Sequence, residues 1–461
     1  MFAFFPHGLV NLPAYAAEVS ALTPALSSAA TKPGMTTRGQ KVQQSSQTPM
    51  SAGLVVLILS ALLGIQPVTT DLYLPALPAL TDGFGAPMTH AQLTLSALLL
   101  AFGCSQLIWG PLSDRFGRRP ILLWGLAAYT LASIGSSLAP AMSALIGWRI
   151  LQGAAMGAVV MCARAIVRDL YLPSEGARVM SKGLSGLGVL ACISAPVGGL
   201  LAEFWGWRAA LAAPAVFGAA SMVLIALRFK ESLSHKNPSA LRPATLVRTW
   251  HTVIGNPEFL AFSALAAASY GGLFTFLASS SFIFIKVLGL SKTQYGLAMF
   301  SMCLAYLSGT FVCRRLLPRF GVRNSVAIAA GFSLAGGTVM GLLALAGIQS
   351  VWAIMVPFYF FMLAHGVHQP CGQSGAVGPF PGAAGAASAL NGCLMMLVAF
   401  AIGAWLGTHM DGSVKPLAYG VWFWSALIAL SAWTVVRKYG DTSGVALPVI
   451  ASTANPVGGP A

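Results

Sequence analysis

The stretch Gly110-Pro111-Leu112-Ser113-Asp114-Arg115-Phe116-Gly117-Arg118-Arg119-Pro120 sets four charges between two long apolar runs. Arg115, Arg118 and Arg119 are too costly to leave in lipid, so the segment is predicted to lie in water at one membrane face. Pro111, Gly117 and Pro120 predict the end of one helix and the start of the next, joined by a short, stiff hairpin.

Working outward, the chain has 461 residues, of which 56% are hydrophobic and 8% charged, with a mean hydropathy of +0.76. A soluble domain carries roughly 25% charged residues, so this chain lacks the polar groups to coat a water-facing surface. Residues 51–437 divide into apolar stretches of about 20 residues, enough to cross a ~30 Å hydrocarbon core as helices. Twelve spans are predicted, near 52–76, 91–112, 120–139, 143–167, 179–202, 208–228, 258–285, 294–314, 324–346, 351–372, 384–408 and 416–436. The fold class expected is an all-α membrane protein.

The net charge of +15 reports topology rather than a nucleic-acid partner. With the N-terminus cytoplasmic, 21 of the 26 basic residues fall on the cytoplasmic side, Arg164 and Arg168 among them. Only Arg208, Lys286, Lys292 and Lys415 fall on the other, and Arg149 lies within a span. That asymmetry predicts both termini in the cytoplasm. The seven cysteines lie in or beside the spans without paired-ligand spacing, so they read as packing residues, and no metal or cofactor is expected.

The organisation predicted is a disordered cytoplasmic tail over 1–50, without the layout of a secretory signal. Six spans over 51–228, a cytoplasmic linker over 229–257, six more spans over 258–437 and a cytoplasmic tail over 438–461 follow. A short repeat supports six plus six: Arg115-Phe116-Gly117-Arg118-Arg119 after span 2 returns as Arg319-Phe320-Gly321-Val322-Arg323 after span 8.

Of eleven acidic residues, only Asp71 sits inside an apolar run. An intramembrane carboxylate is expensive and marks a functional site by default. It suits either proton loading or a structural or substrate-binding role. Arg149 is the matching cation at a similar expected depth, and each would lower the other's desolvation cost if the helices touch. Asp114, Arg115, Arg118 and Arg119 read as a gate, with Asp169 as a partner for Arg115 or Arg118; topology signalling is the plainer alternative. Pro196, Gly198 and Gly199 predict a kinked, closely packed fifth span. His365 and His368 share one face of span 10, as a buried polar pair or as substrate contacts. Tyr73, Gln152, Met156, Tyr270, Phe274 and Asn391 complete the candidate substrate-binding set.

Taken together, TTDLYLPALPAL at 69–80, GPLSDRFGRRP at 110–120, RILQG at 149–153, RAIVRDLY at 164–171 and APVGG with WGWR at 195–208 resemble the major facilitator superfamily. They look like its bicyclomycin-resistance (Bcr/CflA-type) drug:proton antiporters. NPEF at 256–259, FIFIKVLGLS at 282–291 and AASALNG at 386–392 extend the likeness. The resemblance implies two pseudo-symmetric six-helix bundles in the bacterial inner membrane, exporting small drug-like or metabolite molecules against inward proton flow. By motif, Asp71 would be the first-helix acid, Arg149 the fourth-helix arginine and Asp114 to Arg119 the gating loop. Ala195 departs from the usual Gly-Pro antiporter pattern, and the histidine pair lies outside it. The partners expected are a small-molecule substrate, protons and the bilayer, with the protein a monomer and not an enzyme. A specific metabolite permease of the same fold is the alternative, and a polytopic membrane enzyme or sensor a remote one.

Overall fold

A computed structural model describes residues 50–440, except 172, 234, 235 and 237–239. The tails predicted over 1–49 and 441–461 lie outside the described residues. The described chain is helical and contains no strand. In chain order the helices are α1 (Ala52–Thr70), α2 (Leu77–Phe84), α3 (Met88–Phe116), α4 (Arg118–Ser137), α5 (Met142–Leu170), α6 (Pro173–Phe204) and α7 (Trp207–Arg228). There follow α8 (Pro243–Ile254), α9 (Pro257–Phe282), α10 (Lys292–Leu345), α11 (Val351–Val377), α12 (Ala384–His409) and α13 (Lys415–Leu430).

Among the described residues eleven helices are long and apolar enough to cross a membrane, α1 and α2 counting as one. α10 has 54 residues, or ~80 Å at 1.5 Å per residue, too long for one crossing. It bends at Gly321, whose φ of 69° and ψ of 178° are non-helical, and so supplies two spans. The total is twelve, in two six-helix bundles. Gly117, at the matching place in the first repeat, has φ 109° and ψ 159°. A residue with a Cβ resists both conformations, which explains why a glycine stands at the centre of each repeat.

Two expectations need correction, and one is filled in. Pro111 does not end its helix: α3 runs on to Phe116, so the turn is Gly117 alone. Pro111 costs one backbone hydrogen bond without breaking the helix, as membrane helices tolerate. Within the segment predicted as the linker, Pro243 opens the 12-residue α8, which the sequence reading did not specify. The first span is longer than predicted and broken, with a turn at 71–73 between α1 and the short helical stretch leading into α2.

Small residues set the helix spacing. A Cβ on Gly153 would strike the Leu98 backbone, and one on Gly157 would meet Ser105, so α5 lies directly on α3. Gly309 and Gly366 do the same for α10 and α11. Where lipid tails are as apolar as leucine, such close backbone approach is what holds helices together. Three cysteine pairs sit at helix crossings, with sulfur atoms 2.8 Å apart for Cys192 and Cys303, 3.8 Å for Cys104 and Cys393 and, at the α10–α11 crossing, 4.0 Å for Cys313 and Cys371. Gly153→Leu is expected to cost at least the about 1–3 kcal/mol typical of overpacking, seen as a lowered Tm of the detergent-purified protein. Gly147→Ala, which points into open space, is expected to leave Tm unchanged.

Candidate functional site

Between the bundles lies a cavity of about 350 Å³. Its first-bundle wall includes Gln66, Thr70, Asp71, Gln106 and Arg164; its second-bundle wall includes Tyr270, Tyr306, His365, Gln369 and Asn391. Five methionines, Met299, Met302, Met362, Met395 and Met396, also face it from the second bundle. Rings stack along the same side: Phe276 on Phe358 at 3.9 Å, then Phe361 and His365. The second-bundle wall is therefore rich in rings and flexible thioethers, and the acid belongs to the other.

Asp71 stands where α1 stops. The break turns its carboxyl to the cavity, half-buried, with Thr70 donating to Oδ1 at 2.7 Å. Tyr270 from α9, and Tyr295 and Cys303 from α10, lie within electrostatic reach of it. Behind the break, a Cβ on Gly198 of α6 would strike the Leu72 backbone. Gly199 and Gly296 let α6 meet α10 equally closely. The predicted Pro196–Gly199 motif thus occupies the place where the first span, the fifth and the second bundle touch.

The expected pairing of Asp71 with Arg149 is not formed. Arg149 is 1% exposed and turned away from the cavity. Its guanidinium lies 3.9 Å from the Tyr73 ring centre and donates to Gln152 Oε1 at 2.8 Å and the Thr69 carbonyl at 3.5 Å. α1 and α5 do touch, but the contact uses a carbonyl and a ring face instead of the acid. Five predicted binding residues fall outside the cavity for related reasons. Tyr73 lies under Arg149 and bonds Thr94; Gln152 bridges Arg149 and Ser133. Met156, Phe274 and His368 are fully buried between helices. Tyr270, His365 and Asn391 do line the cavity, with His365 Nδ1 2.8 Å from Ser269 Oγ.

Two residues that matter were missed by sequence reasoning. Arg164, grouped above with the cytoplasmic charges, lies inside α5 on the cavity wall and donates to Ser388 Oγ at 3.1 Å. Its position at the start of RAIVRDLY, one helical turn before the charged pair Arg168-Asp169, was the available signal. Glu231, in the segment after α7, caps the start of α4. Its carboxylate accepts from the backbone N–H groups of Arg118 and Arg119 at 2.9 and 3.1 Å.

The predicted gate residues gather beside that cap. Arg118, 4% exposed, donates to Asp114 at 2.6 Å, Asp169 at 2.9 Å and Ser113 at 2.6 Å. Arg115 instead covers the Phe116 ring, and Arg119 reaches the Ala226 carbonyl. These contacts lie within the first bundle and the segment after it. They brace the ends of α3, α4 and α5 and do not tie the two bundles together in this state.

The bundles are tied at the opposite end, which carries Gly85, Gly206 and Gly289. There Gln92 bonds the Ala278 carbonyl, Thr89 the Gly407 carbonyl, Lys292 the Ala202 carbonyl and Thr293 the Glu203 carboxylate, while Lys286 pairs with Asp82. Toward the Gly117 end, beyond the Cys192–Cys303 and Cys104–Cys393 contacts, the hydrogen-bonded cross-link described is Arg164 on Ser388. The cavity is accordingly closed at the Gly85 end and extends toward the Gly117 end.

A cavity lying between two helical bundles and sealed at one end is the arrangement of a secondary transporter. The model of the Major Facilitator Superfamily matches residues 59–404, three quarters of the chain, and the protein belongs to that superfamily of transporters; it is not an enzyme. It is 27% identical to a chloramphenicol resistance protein of Pseudomonas aeruginosa over 412 residues, covering 88% of this chain and 97% of that one. It is 28% identical to multidrug resistance protein D of Escherichia coli K12, over 74% of this chain and 85% of the relative. A bicyclomycin resistance protein homolog of Haemophilus influenzae is 26% identical, over 78% and 89%. Among solved structures, the xylose transporter XylE of E. coli superposes with a TM-score of 0.67 at 14% identity, over 84% of this chain and 97% of that one. The human organic anion transporter MFSD10 superposes at 0.61 with 20% identity, over 84% and 99%. These likenesses establish the fold.

The Glu231 cap gives a test of the bracing. Glu231→Ala is expected to cost about 1–2 kcal/mol, the size of a lost charged N-cap, read as a lower Tm, with Glu231→Gln retaining part of the difference.

Proposed function

We propose that the protein is a proton-coupled antiporter that exports small drug-like molecules across the bacterial inner membrane by alternating access. Its termini face the cytoplasm and it works as a monomer. On this orientation the Gly117 end is cytoplasmic and the present state faces inward. The observation that carries the reading is Asp71, an acid set at a helix break on the cavity wall with no basic partner among the described residues.

The geometry suits coupling. A carboxylate shielded from bulk water is costly while charged and cheaper once protonated, so its two forms favour different surroundings. Asp71 adjoins Leu72, against which Gly198 packs, and α6 in turn packs on α10 of the other bundle. Protonation at Asp71 therefore acts at the seam that must part when the Gly85 end opens. The Asp114, Arg118 and Asp169 cluster keeps the first bundle's helix ends rigid while it rocks. The ring-lined and methionine-lined wall supports broad cargo, because flexible thioethers and flat rings repack around different shapes. Drug export is the activity that the printed names of the chloramphenicol, multidrug and bicyclomycin resistance relatives describe.

The test is transport of labelled chloramphenicol by purified protein in liposomes with an imposed pH gradient. Wild type is expected to move the drug against the proton flow. Asp71→Asn should bind chloramphenicol yet lose gradient-driven transport at least tenfold. Full gradient-driven transport by the Asn variant would refute the assignment of the proton site.

A further inference from the structure

We propose that the Gly117 end of the cavity holds a second subsite, in which Arg164, Gln106 and Asn391 take a carboxylate that carries an N–H or O–H donor beside it. The proposal rests on the transport reading and adds a substrate class to it.

The argument begins with an unbalanced charge. A guanidinium offers five N–H donors, and one Arg164 donor is used, by the Ser388 hydroxyl at 3.1 Å. None of the ion pairs among the described residues includes Arg164. Two other buried arginines of the first bundle face protein groups: Arg118 has two carboxylates, and Arg149 has a ring face, an amide and a carbonyl, with its Nε and Nη2 left without a hydrogen bond. Arg164 faces the cavity instead, where a planar, bidentate acceptor such as a carboxylate fits it best.

Two orphaned acceptors line the same cavity. Gln106 Oε1 and Asn391 Oδ1 are buried without a hydrogen-bond donor, in residues 2% and 3% exposed. Gln106 commits its Nε2 to the Phe102 carbonyl at 3.3 Å, which fixes the amide with its oxygen free. Ser388, Asn391 and Gly392 follow one another within about one turn of α12. The Gln106 amide lies 3.6 Å from where a Gly392 Cβ would be, so the missing side chain leaves room beside it. An unpaired buried acceptor costs about 1–3 kcal/mol, and a ligand donor removes that cost.

The ligand chemistry follows from the pairing. A bare inorganic anion would satisfy Arg164 and be repelled by the two amide oxygens. A simple cation would be repelled by Arg164. A carboxylate with an adjacent amide N–H or hydroxyl satisfies both sets at once. Arg164 lies 15 residues beyond Arg149, which touches the Thr69 carbonyl, so it is ~22 Å further along α5 than the level of Asp71. A small acid held there does not meet the Asp71 carboxylate.

The test is calorimetric titration of detergent-purified protein at pH 7 with N-acetylphenylalanine and with N-acetylphenylalanine amide. The two probes share their N–H and ring and differ in the charge. Wild type is expected to bind the acid at least tenfold more tightly than the amide. In Arg164→Gln the acid-to-amide ratio should fall to within twofold, and Arg164→Lys should restore an intermediate ratio. Asn391→Leu should weaken both probes in parallel, because both donate the same N–H. A wild type that shows no preference, or binds neither probe, overturns the subsite. So does an unchanged ratio in Arg164→Gln, which would leave Arg164 as a strap to Ser388, acting on Tm alone. Gradient-driven export of chloramphenicol, which is uncharged, is measured on the same preparations. Intact export with no charge preference rejects the subsite only, whereas lost wild-type export rejects the antiporter reading.

Discussion

Arg149 lies in the middle of the first bundle with a full positive charge and no carboxylate beside it, and the site is arranged around how that charge is met. Its partners are the Tyr73 ring face, the Gln152 amide and the Thr69 carbonyl. A cation over a ring in a desolvated site is worth about 2 kcal/mol or more. Two of the three partners come from the end of α1 and the turn after it. The same turn points Asp71 to the opposite side, into the cavity. Holding the arginine and exposing the acid are thus two faces of one helix break.

Around that break, the packing depends on residues without side chains. Gly198 brings α6 onto Leu72, and Gly199 with Gly296 brings α6 onto α10. A tight, small-residue seam admits few intermediate geometries, because packed interfaces do not deform continuously. It connects the acid to the second bundle through backbone alone. At the other end, Glu231 and Arg118 gather the ends of α4, α3 and α5 into one hydrogen-bonded knot. These contacts brace the ends of the first bundle's helices against one another.

The cavity is asymmetric in chemistry. The acid and Arg164 come from the first bundle, while the methionines and most of the rings come from the second. Sequence reasoning put Met156 of span 4 and Phe274 of span 7 in the candidate binding set, and both are buried between helices. The reason it erred is geometric. Helices α1, α9, α11 and α12 are apolar nearly all round, so no stripe marks the face that meets the cavity. Phe274 and Phe276 are two residues apart, and helical pitch sends one inward and the other to the cavity wall.

The amino-acid sequence by itself determined the membrane class, the count of spans and the internal repeat. Those follow from the length of apolar runs and from glycines whose backbone angles other residues resist. It also marked Asp71, Arg149 and the Asp114–Arg119 loop, because charge in an apolar run is expensive wherever it points. Only the tertiary structure decided which partners meet those charges. Arg149 took a ring and a carbonyl instead of Asp71, and Arg164 moved from the loop charges to the cavity. Side-chain direction depends on helix rotation and on where a helix breaks, and both are set by packing against neighbours distant in sequence.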